Sequence, residues 1–250
     1  PKDVDKAMPI VLMFVPNEGS YILAMNKDPQ LGSKAFKKNI LIIKLSSIGD
    51  VVHALPVSYE LKQKWPDCRI TWVVEPASRG IVEMDACVDD IIIFEKQAFR
   101  SVGGFLHHFG PLKRAIQSRR YDLVLDLQGL FKSAAIAYLA KAPKGRKLGP
   151  VDMREGSDHV SRPVRGPHAK GHVIERCLDV VRSIGCNVPY APDGSAVHFP
   201  IEVPTEAVAA AAARFRQAGA DMKTPYITIP IGANWPTKRW PEENIAVFAN

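Results

Sequence analysis

A carboxylate able to accept a proton stands at Asp50, closing the run Lys44-Leu-Ser-Ser-Ile-Gly-Asp50. Ser46 and Ser47 supply hydroxyls, and Gly49 allows a tight turn and close approach of a ligand to the backbone. At the start of a helix, Asp50 would be held ionised by the helix field and could act as a base. The same position also suits a residue that only caps the helix, and spacing alone leaves both readings open. His53, one turn further on, is either a site residue or a packed or solvated histidine. A second polar turn follows at Asp126-Leu-Gln-Gly-Leu-Phe-Lys-Ser133, which offers Gln128 and Lys132. A third, Thr237-Lys-Arg-Trp-Pro241, sets Lys238 where a phosphate would meet a helix N-terminus.

Other chemistry is disfavoured. The first turn lacks Gly-x-Gly-x-x-Gly, and the chain lacks Gly-x-x-x-x-Gly-Lys-Ser/Thr, which argues against a dinucleotide dehydrogenase and a P-loop ATPase. His168 and His172 straddle a loop boundary with only Glu175 as an acidic neighbour, a poor metal set, and no metal or cofactor is expected. Cys68, Cys87, Cys177 and Cys186 form no Cys-x-x-Cys pair, so a reduced, cytoplasmic protein is expected. The net charge of +7 favours anionic partners, and the basic segment Lys144 to Lys170 concentrates it. That segment has no aromatic residue on which a base could stack, so nucleic acid is not the expected partner. No apolar run approaches the roughly eighteen residues of a membrane span.

The elements that must position these turns read as α/β. Ile40 to Ile43 is a continuous apolar run suited to a strand buried on both faces. A helix follows to about Trp65, kinked by Pro56. Strands are expected at Ile70 to Val74, Ile91 to Phe94 and Leu123 to Leu127, with helices at Ala77 to Asp85, Leu112 to Arg120, Gly129 to Ala142 and His172 to Ile184. Such alternation means βαβ units around a parallel sheet. Lys144 to Gly171 reads as a long loop with one short strand. Residues 1–38 read as a poorly ordered extension, 39–188 as a Rossmann-like domain, 189–204 as a proline-rich linker and 205–250 as the start of a second α/β domain. That domain opens with an alanine-rich helix from Thr205 to near Gly219 and a strand at Tyr226 to Ile229. Asn244 to Asn250 opens a further helix that is cut off, so a C-terminally truncated chain is expected.

From Asn39 onward the ordered motifs resemble the bacterial lipopolysaccharide heptosyltransferases. They are Lys44-Leu-Ser-Ser-Ile-Gly-Asp-Val-Val-His-Ala-Leu-Pro56, Trp72-Val-Val-Glu75, Tyr121 through Ser133, His172-Val-Ile-Glu-Arg176 and Lys238-Arg-Trp-Pro-Glu242. The first is most similar to the heptosyltransferase I branch. The resemblance implies a two-domain GT-B fold, ADP-heptose as donor and Kdo-lipid A as acceptor, met at the inner face of the cytoplasmic membrane by a peripheral enzyme. It implies transfer with inversion and without a required metal. Asp50 then matches the catalytic base, Lys238 the lysine that steadies the departing diphosphate, and Thr237 a donor-side hydroxyl. Ser46, Ser47, Gly49, His53, Gln128, Lys132 and Arg176 fall to the acceptor side by position. Two other readings remain: a relative with another nucleotide sugar or core acceptor, and a non-catalytic anion- or nucleic-acid-binding module.

Overall fold

The computed structural model describes residues 38–219, 237 and 239–249. Its first unit ends at Glu202 and a second runs from Val203. In the first, strands β1 (Lys38–Ile43), β2 (Cys68–Val74), β3 (Asp90–Ile93), β4 (Leu123–Asp126), β5 (Lys147–Pro150) and β6 (Arg162–Val164) form one sheet in the order β3-β2-β1-β4-β5-β6. Every pair is parallel. This is the α/β parallel sheet expected from the sequence, with the chain reversing its direction of travel at β1, between β2 and β4.

Alternate residues of each central strand serve opposite faces, as strand geometry requires. Ile40, Ile42, Trp72 and Leu125 join one core with residues of helices α2 (Leu55–Lys64) and α6 (Val173–Arg182). Leu41, Ile43, Val73 and Val124 join another with residues of α4 (Val102–Gln117) and α5 (Phe131–Leu139). Both faces are therefore dry, which explains why these strands read as unbroken apolar runs. Trp72 is fully buried, and its indole Nε1 donates to the Lys44 carbonyl at 3.1 Å.

Four expectations need correction. The segment 144–171 holds two strands rather than one. Lys147-Leu-Gly-Pro150 and Arg162-Pro-Val164 carry charge, glycine and proline, so they lack a strand signature and are defined by pairing in register. The helix after the first turn is not one kinked rod. It breaks at His53 and Ala54 into α1 (Ile48–Val52) and α2, with Pro56 in the opening turn of the second, where its missing N–H costs nothing. The segment 77–85 is a 3-10 turn followed by the five-residue α3 (Arg79–Glu83). Finally, α4 starts ten residues before Leu112: Ser101 caps it, its Oγ accepting from Gly104 N at 3.1 Å, and the helix tolerates Gly103, Gly104, Gly110 and Pro111.

The proline-rich stretch before Val203 is attached at its end. Ala86 N donates to Pro200 O at 2.8 Å, Ile201 bridges to Asp85, and Glu202 N donates to Met84 O at 2.8 Å. The second unit contains helices α7 (Thr205–Gln217) and α8 (Glu242–Ala249). The strand expected at 226–229 lies outside the described residues.

Candidate active site

Parallel strands deliver their following loops to the carboxyl edge of a sheet, and the reversal of strand order beside β1 opens a crevice there. The turn after β1 and the turn after β4 meet in that crevice. Gln128 clamps them: its Oε1 accepts from Leu45 N at 3.0 Å and Ser46 N at 3.2 Å. Lys44 is buried, and its Nζ donates to Leu127 O at 2.9 Å. Lys132, in the first turn of α5, donates to Ser46 Oγ at 3.1 Å and pairs with Glu75 Oε1 at 2.6 Å. Three carboxyl-edge loops are thus tied around the Ser46–Ser47 backbone.

Asp50 is the third residue of α1, and it reaches back to Ser47, the N-cap residue. The Ser47 amide and hydroxyl both donate to Asp50 Oδ2, at 3.0 and 2.9 Å. Partial burial pushes the Asp50 carboxyl up, but the Ser47 hydrogen bonds, with Lys44 and His53 behind them, outweigh it and hold the group below its ordinary range. Asp50 is therefore ionised at neutral pH. Both capping bonds fall on Oδ2, and neither engages Oδ1. The capping and proton-accepting readings are compatible, because the cap fixes the rotamer of the carboxylate.

Asp50, Gln128 and Arg176 line a cleft of about 260 Å³ together with Lys44, Asp152 and Arg154. Arg176 Nη1 lies 3.4 Å from Asp152 Oδ2. A wall with Lys44, Arg154 and Arg176 against Asp50 and Asp152 suits a ligand carrying both hydroxyls and negative charge. His53 is not among the residues that line the cleft; it is half-buried, with its ring 5.1 Å from that of His172 in a T-shaped contact. Burial, then the neighbouring His172, push the His53 imidazole below its ordinary value. It is thus neutral at pH 7 and does not compete with Asp50 for charge.

Gly49 is exposed, and a Cβ built on it meets nothing within 4 Å. Packing therefore does not require glycine there. Gly129 differs: its φ is +65° and a Cβ would lie 3.2 Å from Met153 Cα. Asp126, fully buried at the end of β4 and pushed up by that burial, accepts from Gly129 N at 2.9 Å and holds the second turn. His168 is turned to Asp179, 3.0 Å away, and stacks on Tyr190. Thr237 belongs to the second unit and is exposed, whereas Lys238 lies outside the described residues. Sequence reasoning missed Glu75, Asp152 and Arg154 as site residues. Glu75 and Arg154 were nonetheless visible, one closing a quoted motif and the other in the basic run.

A family model described as glycosyltransferase family 9 (heptosyltransferase) matches residues 110–250, more than half of the chain. The chain belongs to glycosyltransferase family 9. Among its relatives, lipopolysaccharide heptosyltransferase 1 of Escherichia coli K12 is 30% identical over 182 residues, which cover 67% of this chain and 55% of the relative. The Pseudomonas aeruginosa PAO1 protein of the same description is 29% identical over 211 residues, covering 81% and 54%. The family 9 chain thus spans about half the length of the curated relatives it matches. Two solved structures share its fold. The Veillonella parvula family 9 glycosyltransferase superposes with a TM-score of 0.68 at 21% identity, covering 86% of this chain and 59% of that one. The E. coli heptosyltransferase WaaC with ADP gives 0.60 at 27% identity, covering 82% and 60%. An RmuC family model matches residues 2–57, less than a quarter of the chain; its described part is β1, the first turn, α1 and the start of α2.

Proposed function

We propose that the whole protein is a heptosyltransferase that moves heptose from ADP-heptose to a Kdo hydroxyl of Kdo-lipid A, with inversion, at the inner face of the cytoplasmic membrane. The observation that carries this reading is Asp50, an ionised carboxylate held by Ser47 at the mouth of a cleft that also contains Arg154 and Arg176. Related heptosyltransferases, one of them solved with ADP and with ADP-2-deoxy-2-fluoro heptose, support a nucleotide-sugar donor. In the proposed step the acceptor oxygen attacks the anomeric carbon from the face opposite the diphosphate. The bond to the diphosphate breaks, ADP leaves with the bonding electrons, and the hydroxyl proton passes to Asp50 Oδ1.

A carboxylate with a lowered pKa is a weak base, so it takes the proton only as the forming C–O bond acidifies the hydroxyl. Lys238, with Thr237 beside it, would meet the charge that grows on the diphosphate. Ser46, Ser47, Gly49, His53, Gln128, Lys132 and Arg176 would form the acceptor side. Gln128 and Lys132 act there chiefly by holding the turn, since both are already bonded to it. Arg176 and the basic segment after Lys144 would meet acceptor phosphates and carboxylates. The test is a transfer assay with the intact protein, Kdo-lipid A and a donor panel. Transfer from ADP-heptose alone is expected; transfer preferring another sugar nucleotide, or none with any donor, would overturn the assignment.

A further inference from the structure

Helix α4 has two distinct halves. Its second half buries Leu112, Ala115 and Ile116 in the core, whereas its first carries Val102, Phe105, Leu106 and Phe109 at helical spacing on one stripe. Val102, Phe105 and Leu106 are 79%, 44% and 73% exposed. Phe109 opens onto an apolar groove of about 380 Å³, whose far wall is α5 with Phe131 and Tyr138, 70% and 74% exposed. The rings of Phe94, Phe99, Phe105 and Phe109 form a continuous series of contacts from the core outward, with centroids 5.0 to 6.0 Å apart. The half-exposed Phe105 is therefore packed between two other rings, and exposed apolar side chains gathered on two neighbouring helices mark an interaction face.

Charge identifies the occupant. Neither α4 nor α5 contains an aspartate or glutamate, while Lys113 and Arg114 on α4, Lys96 and Arg100 just before it, and Lys141 just after α5 are all exposed. Acids also border this surface: Glu95 precedes Lys96, and Glu155 and Asp158 stand close in sequence to Gly156 of the groove, Glu155 accepting from Phe131 N at 3.0 Å. Aromatic and aliphatic side chains within a cationic surround match the acyl boundary and headgroups of an anionic leaflet. Phe131 also adjoins Lys132, which bonds Ser46, so this surface opens beside the turn that carries Asp50.

We infer that the α4–α5 surface docks on an anionic lipid leaflet and holds the cleft at headgroup depth. Choosing a leaflet over a protein partner rests in part on the lipid-linked acceptor proposed above. The test is flotation of the intact protein with acceptor-free vesicles of phosphatidylcholine with phosphatidylglycerol, against pure phosphatidylcholine. Strong binding to the mixed vesicles is expected, roughly tenfold weaker after Leu106→Asp with Tyr138→Asp. Lys113→Ala and Arg114→Ala should each weaken it about fivefold. All four side chains are exposed, so the variants should melt as the parent does and transfer to a detergent-solubilised acceptor at the parental rate. Failure to float, floating unchanged by the substitutions, or a shift in oligomeric state in place of lost binding would overturn the inference. Vesicle binding that follows these expectations without any heptosyl transfer would instead sink the catalytic reading alone.

Discussion

At the scale of single residues, the site turns on how one carboxylate is held. Asp50 owes its lowered pKa to two hydrogen bonds from Ser47, one from the amide and one from the hydroxyl. Ser47→Ala removes the hydroxyl bond and leaves the amide bond, so the Asp50 pKa should rise towards its ordinary value. In the proposed step the ionised form is the active one, so activity should be lost as pH falls through that pKa. The acid limb of the kcat/KM profile should therefore move to higher pH in the variant, with the alkaline side unchanged. An acid limb that stays in position would separate Asp50 from the titration. Asp50 was legible from the sequence, since a glycine and a carboxylate after an apolar run form a local signal. Its partners were less so: Gln128 is 83 positions from Leu45 and Glu75 is 57 from Lys132, pairings that exist only once the sheet assembles.

At the scale of elements, the turn after β4 depends on Gly129. With φ at +65° and Met153 Cα 3.2 Å from where a Cβ would stand, Gly129→Ala should cost about 1–3 kcal/mol, measured by urea unfolding. Unchanged stability would show that the turn relaxes without consequence. The central strands β1, β2 and β4 could be read in advance because both of their faces are buried and their sequences are nearly pure apolar runs. The strands β5 and β6 could not, because Lys147, Gly149, Pro150, Arg162 and Pro163 are tolerated near a sheet edge yet signal a loop in isolation. The first half of α4 was hidden for a related reason. Its glycines argue against a helix, and its apolar stripe faces outward rather than into the core.

At the scale of the whole molecule, one of the two cores flanking the sheet, the one packed against α2 and α6, also encloses three of the thiols. Cys68, Cys177 and Cys186 are buried, and Cys87 is partly so. Burial pushes Cys68, Cys177 and Cys186 up to about 11 and Cys87 up to about 12. Thiolate is the reactive form, so the native protein should react slowly with a disulfide reagent at neutral pH and yield four thiols rapidly in denaturant. Fast reaction of all four in the native protein would mean that the cores open readily. Family membership and the parallel sheet fix the architecture of the first unit, while the proposed donor contacts rest on Thr237 and Lys238 in the second. The central claim, that Asp50 takes the acceptor proton, is tested most directly by Asp50→Asn in the intact protein. Heptosyl turnover should fall by about 10²–10⁴-fold with the melting temperature and donor affinity retained; turnover close to the parental rate would contradict it.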